Sequence, residues 1–253
     1  MSETIPALVL NEVGLKIGGA RILEDVSFSV QQGEMIGVIG PNGAGKTTLF
    51  NLISGIMTPT EGQIELNGEN ITKMAVHKRA LRGLGRTFQT SSLFPALSLL
   101  ENVRIAAQVG LGGSLSLFAR PHAKDQASLI ALDRLEEVGL REKHDIPAAG
   151  LSHGEKRKLE IAVLLATNPQ VILFDEPMAG VASGDVPGLV EIIRRLHKEL
   201  GNTIVLVEHH IDVVLGLVDK VAVMHHGKLL AFDTPDAIMA NPVVQSAYLG
   251  ETL

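Results

Sequence analysis

The sequence predicts an α/β fold built on a mostly parallel sheet, with an antiparallel β part and an inserted helical part. Three observations carry that expectation. Short apolar runs recur at Met35–Ile39, 171–174, Thr203–Val207 and 220–224; polar or glycine-containing turns and helical patterns follow them; and two stretches, 61–71 and 101–139, break the rhythm.

Taken in order, Met35–Ile39 ends in a glycine-rich turn, after which Lys46–Ser54 reads as helical, giving a strand, a loop and a helix. Residues 61–71 alternate as a hairpin strand does. Residues 101–139 read as helix with a glycine-rich interruption at 110–114. The runs at 171–174, 203–207 and 220–224 look like buried strands, 186–200 has a helical pattern, and 235–248 reads as one closing helical segment. No Pro, Gly or Ser-rich linker divides the chain, and there are no internal repeats. The expectation is a single domain over 1–253, its core formed by 1–90 and 151–253, with 91–150 as the helical insertion.

Composition narrows the partners. A formal net charge of -6 argues against nucleic acid, because phosphate contacts need a basic surface. The chain has no cysteine, hence no disulfide, thiolate nucleophile or zinc–thiolate site, which suits a reducing compartment. The start of the sequence lacks a basic leader, and no apolar run approaches the ~18 residues that span a bilayer, so a protein neither exported nor transmembrane is expected. Mean hydropathy of +0.25 fits a sheet buried on both faces. The pairs His209-His210 and His225-His226 are adjacent, and strand neighbours point to opposite faces, so neither pair is expected to share a metal. Residues 141–144 read as a solvated charge run.

The segment Gly40-Pro41-Asn42-Gly43-Ala44-Gly45-Lys46-Thr47 matches G-x-x-x-x-G-K-[ST] between a buried strand and a helix. The glycines let backbone N–H groups turn toward one point, and the helix start adds positive potential. Lys46 can then reach the outer phosphates of a nucleotide, and the Thr47 hydroxyl, with Thr48 beside it, faces Mg²⁺ and phosphate. ATP with Mg²⁺ is the expected ligand, and the fold is that of a P-loop NTPase. At Asp175-Glu176 a carboxylate pair ends an apolar run, putting Asp175 at a strand tip, where open α/β sheets bind ligands. Asp175 is expected to face the magnesium. Glu176, one residue on, can act as general base on a water in line with the γ-phosphate.

Between these motifs Leu151-Ser152-His153-Gly154-Glu155 resembles the L-S-G-G-Q signature of ABC ATPases. Upstream Gly85-Arg86-Thr87-Phe88-Gln89 supplies a Q-loop glutamine, and downstream Val207-Glu208-His209 supplies a switch histidine. The five motifs stand in the family's order, and the chain is identified as a member of the ABC ATPases. The resemblance implies a RecA-like core and a head-to-tail pair of ATPase subunits, identical or different. Each ATP then lies between one subunit's phosphate loop and the other's Ser152 and Gly154. It also places Gln89 and His209 among the catalytic groups, and Gln89 among the metal ligands.

Four positions depart from the family pattern: His153 and Glu155 in the signature, Ala182 where many relatives have aspartate, and Ile17 where the family places an aromatic residue against adenine. Stacking on an aromatic ring contributes roughly 1–3 kcal/mol per base. Ile17→Tyr is therefore expected to tighten ATP binding without affecting a bare triphosphate, which direct titration of both ligands checks. Thr87-Phe88-Gln89, Leu93-Phe94-Pro95, Glu101-Asn102-Val103, Ala179-Gly180-Val181 and Ala247-Tyr248-Leu249-Gly250-Glu251 together resemble the ATPases of branched-chain amino acid importers, with urea and amide importers as near relatives. That resemblance implies membrane permeases, an external solute-binding protein, and a peripheral place on the cytoplasmic face of the inner membrane. A non-transport ABC protein would show tandem ATPase domains, a coiled-coil insertion or a basic surface. A sensing module without turnover is opposed by Glu176 and His209.

Overall fold

The computed structural model describes residues 5–87, 93–112 and 125–249. Along the chain run β1 (Leu8–Ile17), β2 (Ala20–Val30), β3 (Met35–Ile39), α1 (Lys46–Ser54), β4 (Glu61–Leu66), β5 (Glu69–Asn70), α2 (Val76–Leu81) and β6 (Leu84–Arg86). Next come α3 (Leu99–Gly110), α4 (Gln126–Glu137), α5 (His153–Leu165), β7 (Val171–Asp175), α6 (Val186–Lys198), β8 (Thr203–Val207), α7 (Ile211–Leu215), β9 (Lys220–His225), β10 (Lys228–Asp233), α8 (Pro235–Ala240) and α9 (Pro242–Leu249).

The chain divides into two compact units, the first made of Met1–Leu84, Gln170–Glu176 and Leu196–Leu253. Its larger sheet has the order β10-β9-β3-β8-β7. Strands β9, β3, β8 and β7 are parallel, with Met35 opposite Ile204 and Ile172 opposite Ile204 on the other side. Every residue of β3, β7 and β8 is buried, as expected of parallel strands covered on both faces and of sequence runs that are apolar throughout. Strand β10 joins the edge antiparallel to β9.

The second sheet, β2-β1-β4-β5, is antiparallel, with Leu8 opposite Val30 and Leu66. Of its two long strands β2 alternates over Val26-Ser27-Phe28-Ser29-Val30 in sequence and in burial, whereas β1 does not alternate cleanly, and the structure shows why. The β1 register shifts between Leu10 and Val13 around Glu12, whose φ is 51°, and Gly62 on β4 comes so close that a Cβ there would stand 2.2 Å from the Glu12 carbonyl oxygen. Leu8, Leu10 and Val13 nevertheless point into one core with Leu49, Phe50, Leu52 and Ile53 of α1.

Helix α1 is held at its far end by a buried arginine. Gly55 closes the helix in the left-handed conformation (φ 84°), and a Cβ there would meet Arg79 Nε at 2.7 Å. Arg79, 1 % exposed, donates to the carbonyls of Leu52 and Ile53 at 2.7 Å each, of Met74 at 2.8 Å and of Thr72 at 3.0 Å. These include α1 carbonyls that the helix end leaves without an intrahelical donor. Burial lowers the guanidinium pKa, but the favourable negative end of the helix dipole lies against it. Arg79→Met is expected to cost about 3 kcal/mol or more, because several buried acceptors lose their donor at once. Urea unfolding of both chains measures it.

The second unit comprises Gly85–Pro169 and Pro177–Arg195. Helix α5 packs against α3 and α4, which pack against each other. Leu99, Val103 and Ala107 on α3, and Ala127, Ala131 and Leu135 on α4, recur at helical spacing and are all buried. The expected insertion 91–150 lies inside this unit, which also takes in the signature helix α5 and 177–195.

Two sequence expectations need correcting. The closing helical segment is two helices: Pro242 disfavours helical geometry at Asn241, which instead adopts an extended conformation and accepts a hydrogen bond from Val243 N–H at 2.9 Å. His225 and His226 do not keep strand alternation, because β9 ends at His225 and His226 turns to φ 45°, bringing the rings edge-on at 4.0 Å. The charge run at 141–144 is solvated as expected, and two of its cations also form surface ion pairs, Lys143 with Glu155 and Arg141 with Glu136.

Candidate active site

Residues 40–48 leave the buried tip of β3 and turn into α1. Gly40 must be glycine, since a Cβ would stand 2.3 Å from the Met224 carbonyl oxygen. Gly45 is the helix N-cap at φ 100°, where a Cβ would meet Leu23 Cδ2 at 2.6 Å. No side chain caps α1 and its first turn holds no acid, so the positive helix end is left for a ligand. Asn42, Gly43, Ala44, Gly45, Lys46, Thr47 and Thr48 line a cavity of about 200 Å³, together with Ile22, Glu176 and His209.

Lys46 is buried, and its ammonium donates to the carbonyls of Gly40 at 2.5 Å and Pro41 at 3.1 Å. Desolvation lowers its pKa and the charge of Glu176 opposes that shift. An anion entering the cavity would offer this cation a stronger acceptor than two neutral carbonyls.

Asp175 ends β7 and is buried. The next residue, Glu176, takes φ 49°, a conformation that costs a residue with a side chain on the order of 1 kcal/mol or more. Two contacts hold it: its N–H donates to the Val207 carbonyl at 2.9 Å, and its Oε1 lies 2.9 Å from His209 Nε2. His209 stands just past β8, its ring about half exposed. The strained turn thus presents a carboxylate and an imidazole at the phosphate-loop cavity.

The donor types suit magnesium, a hard cation held by one or two protein oxygens and by substrate phosphates. Thr47 offers a hydroxyl at the cavity wall and Asp175 a carboxylate at the strand tip. Among the described residues there is no cluster of three or more His, Cys, Asp or Glu that could hold a metal ion.

The second unit holds the signature segment. Ser152 caps α5: its hydroxyl accepts from Glu155 N–H at 3.2 Å, while Glu155 Oε2 accepts from Ser152 N–H at 2.9 Å, a reciprocal capping box. The carboxylate where the family has an amide therefore closes the helix start. The hydrogen bond from Lys143, then that from Ser152 N–H, holds the Glu155 carboxyl below its ordinary 4.5. With a folded pKa below the unfolded one, this contribution is present above about pH 4.5 and is lost as pH falls through the lowered value. Gly154 is buried against Asp185, whose carboxylate oxygen would lie 2.7 Å from a Cβ there, and the His153 ring rests over Gly180.

Of the sequence-predicted residues, the cavity brings together Asn42–Thr48 of the loop, Glu176 and His209. Gly40 and Pro41 serve it through their carbonyls. Ser152 and Gly154 belong to the second unit. Gln89 lies outside the described residues. Ile17 is 51 % exposed at the end of β1 and does not line the cavity; Ile22, on β2, does. Sequence reasoning passed over Ile22, Asp185 and Lys143. Only Lys143 had a signal there, as a cation in a charge run before the signature helix.

Comparison with known proteins places the chain in a family. A family model described as ABC transporter matches residues 23–179, and one described as branched-chain amino acid ATP-binding cassette transporter matches residues 228–252. The chain is 37 % identical over 251 residues to the high-affinity branched-chain amino acid transport ATP-binding protein BraF of Pseudomonas aeruginosa, covering 97 % of this chain and 98 % of that one. A crystal structure of the ADP conformation of MJ1267, an ATP-binding cassette of an ABC transporter, superposes with a TM-score of 0.85 at 31 % identity, covering 98 % of this chain and all of that one. A dimeric post-hydrolysis state of the cassette MJ0796, bound to ADP and Pi, matches with a TM-score of 0.74 at 25 % identity, covering 90 % of this chain and 98 % of that one.

Proposed function

This chain belongs to the ABC transporter ATPase family, and from that premise we propose that it binds and hydrolyses ATP with Mg²⁺ to drive import of branched-chain amino acids. The observation that carries the reading is the cavity in which the phosphate loop, Glu176 and His209 meet.

In this mechanism the N–H groups of the first turn of α1 and the Lys46 ammonium bind the triphosphate, Lys46 exchanging the Gly40 and Pro41 carbonyls for phosphate oxygens. Thr47, Asp175 and Gln89 are the residues that would hold Mg²⁺, which would supply neutralisation of phosphate charge. Glu176 accepts a proton from a water as that water attacks the γ-phosphorus and the bond to the ADP oxygen breaks. His209, 2.9 Å from the Glu176 carboxylate, orients it.

Ser152 and Gly154 would serve the nucleotide of a second ATPase subunit, identical or different; the similar cassette MJ0796 is dimeric in its ADP- and Pi-bound state. The wider assembly is two such subunits under membrane permeases on the cytoplasmic face of the inner membrane, supplied by an external solute-binding protein. Among the described residues no helix is long and apolar enough to cross a membrane, so attachment falls to the permeases. Affinity isolation of the chain from membranes, followed by phosphate release with ATP and Mg²⁺ and by leucine uptake in reconstituted vesicles, tests the reading. Failure to co-isolate permeases, or uptake that ignores ATP, would sink it.

A further inference from the structure

Three consecutive residues hold the turn that carries the Glu176 carboxylate. Strand β8 ends at Val207, whose carbonyl accepts the Glu176 N–H at 2.9 Å. Glu208 Oε2 accepts the N–H of His209 at 3.1 Å, and the His209 ring stands 2.9 Å from Glu176 Oε1. The first of these contacts holds the backbone of Glu176 and the third its side chain. The second holds His209, and it comes from a residue to which the mechanism above gives no task.

Glu208 is 3 % exposed and does not line the cavity. Taking a carboxylate out of water is costly unless hydrogen bonds repay it, so a buried glutamate just past an apolar strand calls for an account. Its place in the chain supplies one. The backbone leaves the sheet after Val207 and enters α7 at Ile211, where the His210 carbonyl accepts from Val213 and Val214 N–H. Between these two anchors the chain is in neither strand nor helix, and the His209 ring is about half exposed. Packing therefore does little to choose the direction of that ring, which follows from how its backbone is held. A hydrogen bond from the His209 N–H to a carboxylate, stronger than one to a neutral acceptor, fixes the peptide from which the ring departs.

We propose that Glu208 is a positioning residue for hydrolysis: it acts through His209, holding the imidazole where it orients Glu176, and touches neither the nucleotide nor the attacking water. The proposal rests on the hydrolytic reading above. Because the groups it aligns do their work as the water loses its proton, Glu208 contributes to rate and not to nucleotide affinity. Misplacement of such a group by about 1 Å can cost on the order of 10²-fold in rate.

Single-turnover phosphate release by the complex isolated from membranes tests it, together with titration of each variant with ATP and Mg²⁺. The variants are Glu208→Met, Glu208→Gln, His209→Ala and the double variant Glu208→Met/His209→Ala. Methionine fills a buried site of this size without a comparable acceptor, whereas glutamine keeps one. Glu208→Met should slow hydrolysis by about tenfold or more while ATP affinity stays within about threefold of the parent, and Glu208→Gln should keep the rate within about threefold. In the His209→Ala background, Glu208→Met should add less than about threefold, since the residue it acts through is gone. A further tenfold loss there would overturn the proposal by making Glu208 a participant in its own right. A tenfold slower Glu208→Gln, or a loss of ATP affinity in Glu208→Met as large as its loss of rate, would overturn it too. Should Glu208→Met fail to fold by circular dichroism, Glu208→Ala takes its place; if neither folds, Glu208 serves the fold and the inference fails. Hydrolysis at the parental rate in Glu208→Met removes this inference alone, whereas a parent complex that releases no phosphate removes the hydrolytic reading with it.

Discussion

Glu176→Gln is expected to bind ATP normally and to lose turnover by about 10²–10⁴-fold, the usual worth of general-base assistance. Gln keeps the shape of the side chain and can still hydrogen-bond to His209, whose Nε2 lies 2.9 Å from Glu176 Oε1. What it removes is the basic oxygen that takes the proton from the attacking water. It also removes the charge facing the γ-phosphate, so affinity for ATP is retained or rises. Hydrolysis normally empties an ATP-bridged pair of subunits, and a slow variant lets that pair accumulate by mass action. Size-exclusion chromatography with ATP and Mg²⁺ should show dimer for Glu176→Gln and mostly monomer for the parent, the experiment being repeated with a second ATPase subunit if the natural pair is mixed. Phosphate release at the parental rate would remove Glu176 from the role of base.

Lys46→Ala should abolish measurable ATP binding, a loss of about 10²-fold or more, since a charge-assisted hydrogen bond in a buried site is among the stronger polar contacts. The structure makes the cost specific. Lys46 is the cation among the residues lining the cavity, it is already desolvated, and its present acceptors are two backbone carbonyls that a phosphate would replace. Alanine suits an α-helix, so α1 should persist, and circular dichroism of the variant should match the parent. Near-normal affinity by calorimetry would show that the backbone and helix end alone hold the triphosphate.

What could be read in advance depended on how local its cause was. The phosphate loop was legible because each of its residues answers a local demand: Gly43 and Gly45 take φ of 80° and 100°, and Gly40 passes a neighbouring strand with no room for a Cβ. Strands β3, β7 and β8 were legible because burial on both faces leaves an uninterrupted apolar run. The long strand β1 was hidden by the displaced register at Glu12, which cancels its alternation, whereas β2 alternates over Val26-Ser27-Phe28-Ser29-Val30 and was passed over. The extent of the second unit was hidden because it is set by the packing of α5 on α3 and α4, a long-range fact. Ile17 was placed by its position beside Gly18-Gly19, whereas Ile22, which lines the cavity, packs against Gly227, more than two hundred residues along the chain. The substitution at residue 155 was legible in part: a serine cap followed three residues on by glutamate is a local pattern, but its pairing with Lys143 is not.

The closure of α1 by Arg79 bears on how ligand affinity is reached. The helix is nine residues long, pinned at one end by Gly45 and at the other by a guanidinium that holds the carbonyls of its last turn. A helix of that length is marginal in isolation, and a frayed end would make its N–H groups flicker in and out of register. With both ends secured, those groups are already aligned before any anion arrives, so association immobilises the ligand and little of the protein. The conformational entropy of ordering the phosphate-binding backbone is spent during folding, by a residue that never approaches the cavity.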